Sequence, residues 1–114
     1  MTVRILVDYT AGGVPRCEYA TTLGAGGLFI ETESPPPRGT VLKVRFRLGP
    51  ESPLHTIESR VVWARPPAEA GATAPGMGLA FLNALASSQL AAELEQMAGG
   101  RGEAPEGAAG DGEA

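Results

Sequence analysis

Glycine and proline cut the chain ahead of Asn83 into short apolar segments, and that punctuation constrains the fold more than any other feature of the sequence. Thr2–Thr10, Val14–Leu23, Gly27–Thr32, Thr40–Leu48, His55–Arg65 and Met77–Asn83 each read as a strand. They are parted by Ala11-Gly12-Gly13, Gly24-Ala25-Gly26, the proline-rich run Ser34–Gly39, Gly49–Pro53 and Pro66–Gly76. Thr40–Leu48 is the clearest, because Leu42, Val44, Phe46 and Leu48 alternate with Val41, Lys43, Arg45 and Arg47. One face is therefore apolar and the other basic. His55–Arg65 sets Ile57, Val61 and Trp63 against Glu58 and Arg60, with Ser59 as a polar intrusion, so Trp63 is expected in the core, the alternative being a ring shown at an interface. In the last segment Met77, Leu79 and Phe81 point one way, while Gly78 and Ala80 keep the other side small enough for a neighbour to approach closely.

After Asn83 the period lengthens. Leu90, Leu94 and Met97 follow at i, i+4 and i+7, with Ser87 as the expected N-cap and Gly99-Gly100 as the stop, which makes a helix of about three turns. Six short strands and one C-terminal helix predict an all-β fold, a six-stranded antiparallel β-barrel, since closure removes the exposed edges of a small sheet. At 114 residues there is room for one such domain, placed at residues 1–98. Residues 99–114 hold Arg101 against Glu103, Glu106, Asp111 and Glu113, so −3 of the formal −4 lies there. Without a large apolar side chain, this Gly/Ala-rich stretch reads as a disordered acidic tail.

Composition narrows the function. A pI near 4.9 argues against a protein held to nucleic acid by phosphate neutralisation. No apolar run approaches the roughly 18 residues of a membrane span, and Met1-Thr2-Val3-Arg4 does not open a secretory leader, so a cytoplasmic location is expected. One cysteine and one histidine cannot assemble a zinc site, and no cofactor is expected. Cys17 reads as a small buried hydrophobe, and His55, near a turn, as exposed and inert. Ser34, Ser52, Ser59, Ser87 and Ser88 have only His55 as a potential base, and Gly-Xaa-Ser-Xaa-Gly is missing, so the chain does not read as an enzyme. The turn Gly24–Gly27 reads as a place for positive φ, with an anion-binding nest as the alternative.

Tyr19-Ala20-Thr21-Thr22-Leu23-Gly24-Ala25-Gly26-Gly27-Leu28-Phe29-Ile30-Glu31-Thr32 resembles a segment of PilZ domains: Asp or Asn, any residue, Ser, two of any, Gly, then a Gly-Leu-Phe-type strand. The turn ending in Gly39, the strand Val41–Leu48, Ser59-Arg60-Val61-Val62-Trp63 and Gly76-Met77-Gly78-Leu79-Ala80-Phe81 follow in that family's order, over roughly residues 3–98. The resemblance implies the same fold, a six-stranded antiparallel barrel with a C-terminal helix.

It also implies a ligand, since PilZ domains are best known as receptors for cyclic di-GMP. A dianion with two guanines needs arginines on its phosphates and guanine edges, polar side chains, and glycine backbone at close approach. Family members take the arginines from an Arg, three of any, Arg motif just before the first strand. Arg4 lies within the first strand and has no arginine four residues ahead of it. In the second motif the acid or amide falls on Thr22, the serine on Gly24 and the glycine on Gly27, so only Gly27 matches.

The sequence therefore reads as a bacterial PilZ-like regulatory protein acting through protein–protein contacts, in motility, type IV pilus function or cell polarity, without the usual cyclic di-GMP binding. Lys43, Arg45 and Arg47 are the expected partner-binding patch. One alternative is a cyclic di-GMP receptor with arginines from elsewhere, such as Arg16, Arg38 or a second subunit. Another is a scaffold whose acidic tail is the active part.

Overall fold

Alternation produces strands here, and the strands close on themselves. The computed structural model describes residues 1–70 and 74–101. In chain order it contains β1 (Thr2–Ala11), β2 (Val14–Leu23), β3 (Gly27–Glu31), β4 (Val41–Phe46), β5 (His55–Arg65), a short α1 (Pro67–Ala70), β6 (Gly76–Phe81) and α2 (Ala84–Arg101). The strands pair antiparallel in the closed order β1-β2-β3-β6-β5-β4. Gly12 and Gly13, at φ 58° and 80°, make the tight turn between β1 and β2. The expected loop Pro66–Gly76 contains the single turn α1.

Register fixes which side chains face inward. Val7, Ile30, Val44, Ile57, Val61 and Met77 meet in one core and are fully buried. Ser59, the polar intrusion, is buried too, and its hydroxyl donates to the Ile57 carbonyl at 3.3 Å.

Since β3 and β4 are not neighbours, the chain between them must cross a barrel mouth. It does so through the proline run, with Pro36 buried and Gly39 at φ 97°. The crossing is tied to β5 by the Gly39 amide on the Val61 carbonyl at 2.7 Å and the Val61 amide on the Thr40 carbonyl at 2.8 Å. Beneath it Tyr9, Arg16 and Glu18 share the inner face, because Tyr9 sits opposite Arg16 and Val7 opposite Glu18. The Tyr9 hydroxyl donates to Glu18, Thr32 Oγ1 donates to Glu18 at 3.0 Å, and Arg16 donates to the Ser34 carbonyl at 2.7 Å. Burial, and then the Glu18 acceptor, push the Tyr9 phenol above its ordinary pKa.

This inward polar set corrects the expectation for Cys17. With Arg16 and Glu18 turned in, Cys17 is turned out opposite Asp8, and it is exposed. Asp8 accepts from the thiol and so raises its pKa, which keeps it the poorer nucleophile.

α2 covers the other mouth. Its cap is Asn83 rather than Ser87: Asn83 Oδ1 accepts from the Ala86 amide at 2.9 Å, and the Asn83 carbonyl accepts from the Ser87 amide at 2.9 Å. The helix thus starts three residues before the expected cap. The buried seam is Ala86, Leu90 and Leu94, with Leu90 fully buried, whereas Met97 is 40% exposed. Gly99-Gly100 does not stop the helix, which runs to Arg101. Of the expected tail, residues 102–114 lie outside the described residues.

His55 also departs from its expected place, exposed and inert. It is buried, Nε2 meets the Glu93 carboxylate, and its ring lies 5.5 Å from that of Phe46. Strand β5 begins at His55 and α2 crosses there, so the helix converts a residue beside a turn into an interior one.

Candidate functional site

The outer face of β3, β6 and β5 is built on small residues. Gly76, Gly78 and Ala80 occupy the outward positions of β6, and cross-strand register lays three rows over them. Gly27, Ala80 and Arg60 form one row, Thr22, Phe29, Gly78 and Trp63 the next, and Glu31, Gly76 and Arg65 the third.

Trp63 belongs to the middle row because the register slips between Val61 and Trp63. The extra residue turns Trp63 outward, against the expectation of a core position, and leaves it 43% exposed. Its ring stacks on Phe29, with centroids 5.2 Å apart and planes 18° from parallel. The Arg65 guanidinium lies 5.2 Å from the Trp63 ring and 5.5 Å from that of Phe29. Glycine is required underneath, since a Cβ on Gly78 would collide with the Trp63 indole nitrogen, and one on Gly76 with the Ile30 carbonyl and the Phe29 ring.

Of the motif positions, Thr22 shares the middle row and is exposed, Gly24 lies in the turn, and Gly27 begins β3. The turn is closed by the Gly24 amide on the Gly27 carbonyl at 3.0 Å and by the Phe81 amide on the Gly26 carbonyl at 2.9 Å. Among the described residues the positive-φ glycines are Gly12, Gly13 and Gly39, so this turn is not the left-handed one expected. What Gly27 supplies is proximity: a Cβ there would run into the Leu79 carbonyl oxygen of β6.

The basic trio is divided. Lys43 and Arg45 project from β4, opposite Glu58 and Thr56, while Arg47 lies past the strand end and donates to the Ser52 carbonyl at 2.9 Å. Arg45 also faces Asp8 of β1. Arg45 and Arg47, together with Arg4 and Tyr19, line an open cleft of about 550 Å³ between β1 and the end of β4, and Lys43 does not. Arg4 lies over the Tyr19 ring at 3.9 Å. Of the alternative arginines, Arg16 is engaged in the polar mouth and Arg38 is exposed in the crossing.

Sequence reasoning missed Phe29 and Arg65. The signal for them was the Gly76-Xaa-Gly78 spacing, which clears an outward strip where rings can lie.

No helix among the described residues is long and apolar enough to cross a membrane. Compared with known families, the chain is matched by the model for the PilZ domain over residues 3–98. No curated protein matches it.

Proposed function

The chain belongs to the PilZ domain family, and from that membership we propose that it is an adaptor that works through protein contacts and does not hold cyclic di-GMP in the usual way. PilZ domains are regulatory binding domains related to cyclic di-GMP rather than enzymes. The processes we assign it to are those the family implies, namely motility, type IV pilus function or cell polarity.

The observation that carries this reading is the Phe29–Trp63–Arg65 cluster on the glycine floor. Tryptophan and arginine are the residue types that dominate protein interfaces, and a rigid ring already stacked in place loses little entropy on docking. The same row includes Thr22, which has no carboxylate or amide for a guanine edge, and Gly24 has no side chain at all. Each missing charge-assisted contact forfeits about 1.5–3 kcal/mol.

Titration calorimetry with cyclic di-GMP is expected to give a Kd weaker than about 10 μM, equivalent to ~7 kcal/mol. Tighter binding overturns the ligand half of the proposal. The contact half is tested by affinity capture from the native cytosol with the full chain and with Trp63→Ala, followed by measurement of the Kd of the captured partner. Removing the ring is expected to weaken that partner about thirtyfold or more, the range of an interface hot spot. An unchanged Kd would remove the aromatic face from the interface.

A further inference from the structure

We infer that the cleft between β1 and the end of β4 is a second docking site, which takes an extended acidic segment of a partner protein as an added strand. The inference rests on the reading of the chain as a protein-contact module, and it names what one of its surfaces recognises.

The cleft exists because two neighbouring strands differ in extent. Asp8 of β1 faces Arg45 of β4, and β4 ends one residue later at Phe46. β1 continues through Thr2–Leu6 with β2 on one flank and, among the described residues, no strand on the other. A strand flank without a neighbour presents backbone donors and acceptors to whatever can pair with them. The barrel is thus closed by its register yet open along half of one seam.

The side chains around that flank define the guest. On the outward side stand Arg4, Arg45 and Arg47, against Asp8 as the one acidic lining residue. On the inward side Ile5 and Leu48 line the cleft while packing against the core only in part. Leu6 and Leu54, at the rim, are each about half exposed.

An added strand alternates its side chains between the two sides, with same-side neighbours ~6.6–6.8 Å apart. Carboxylates at every second position therefore meet the arginines, and apolar residues between them cover Ile5 and Leu48. A small anion would satisfy the arginines but leave the leucines and the backbone flank uncovered. An extended peptide satisfies all three, which is the logic of strand addition.

The test titrates the full-length protein with a short synthetic peptide alternating Glu and Leu, followed by NMR and amide exchange. Two control peptides are the same sequence with Lys for Glu, and residues 102–114 of this chain, which are acidic without a large apolar side chain. The Glu-Leu peptide is expected to shift the Thr2–Leu6 amides, slow their exchange, and bind at least tenfold more tightly than either control. Arg45→Ser with Arg47→Ser is expected to weaken it at least tenfold. Arg47→Glu alone serves if the double variant does not fold, because Arg47 is exposed beyond the end of β4. Trp63→Ala is expected to bind the peptide unchanged, so a failure here is separable from a failure of the aromatic face.

Absence of shifts in Thr2–Leu6, or binding insensitive to the arginines, overturns the inference. Equal binding of the 102–114 peptide also overturns it, because the cleft would then be a charge sink that the chain's own acidic segment can fill.

Discussion

Replacing His55 with alanine is expected to lower the unfolding free energy by about 3 kcal/mol, the low end for breaking a buried polar pair. His55 Nε2 meets Glu93, and the two side chains are 6% and 14% exposed, so loss of the imidazole leaves a carboxylate in a site with little water. Phe46 loses its ring neighbour as well. At about 4–8 °C per kcal/mol for a domain of this size, the thermal midpoint followed by circular dichroism should fall by about 12–24 °C. The consequence is more than local, because this pair ties α2 to the mouth of the barrel. Leucine at both positions is expected to stay within about 1 kcal/mol of the parent, since exchanging both partners for apolar groups avoids the unpaired charge. A midpoint unmoved by His55→Ala would mean that the pair contributes nothing to holding the helix.

Gly27→Ala is expected to be as damaging, at about 3 kcal/mol, the upper end of the usual range for overpacking. The added methyl group would meet the backbone oxygen of Leu79, which no side-chain rotation can relieve, so β3 and β6 would have to part where they pair. Gly24→Ala provides the contrast. Nothing lies within 4 Å of a Cβ there and its φ is not positive, so its stability should stay within about 0.5 kcal/mol. Denaturant melts without any ligand decide the matter. If Gly27→Ala melts like the parent, the proximity argument for this glycine is wrong, and its match to the PilZ motif would need a ligand-based reason.

The strands were legible wherever a single face is buried. Leu42, Val44 and Phe46 alternate cleanly, and the bounds of β2 and β5 coincide with the expected segments. Legibility failed where the cause is distant or does not follow the period. His55 read as exposed because its partner stands 38 residues away on an element whose position the sequence does not give. A one-residue register slip sent Trp63 to the other face, and nothing in Val61-Val62-Trp63 announces a bulge. Cys17 read as buried because it is a small apolar residue, but the barrel mouth under the proline crossing turns its neighbours inward and pairs Glu18 with Tyr9 and Thr32, which leaves the thiol outside. The helix start was recoverable. Asn83 is a good capping residue, but the large apolar residues of the period begin only at Leu90, and Ser87 stands nearer to them. At the candidate site, the glycine spacing of β6 and the eroded motif were visible in the sequence, but the stacking of Phe29 on Trp63 was not, since it depends on the bulge.

The outward turn of Trp63 also decides what light can report about this molecule. It is the sole tryptophan of the chain, and it sits on the surface beside a guanidinium. Its indole is already partly hydrated in the folded state, so unfolding changes its surroundings far less than it would for a ring drawn from a core. Intrinsic fluorescence is accordingly a weak gauge of whether the barrel is folded and a direct gauge of whether the β3–β6–β5 face is covered. Burial of that face by a partner excludes water from the ring, which an emission spectrum registers without any label.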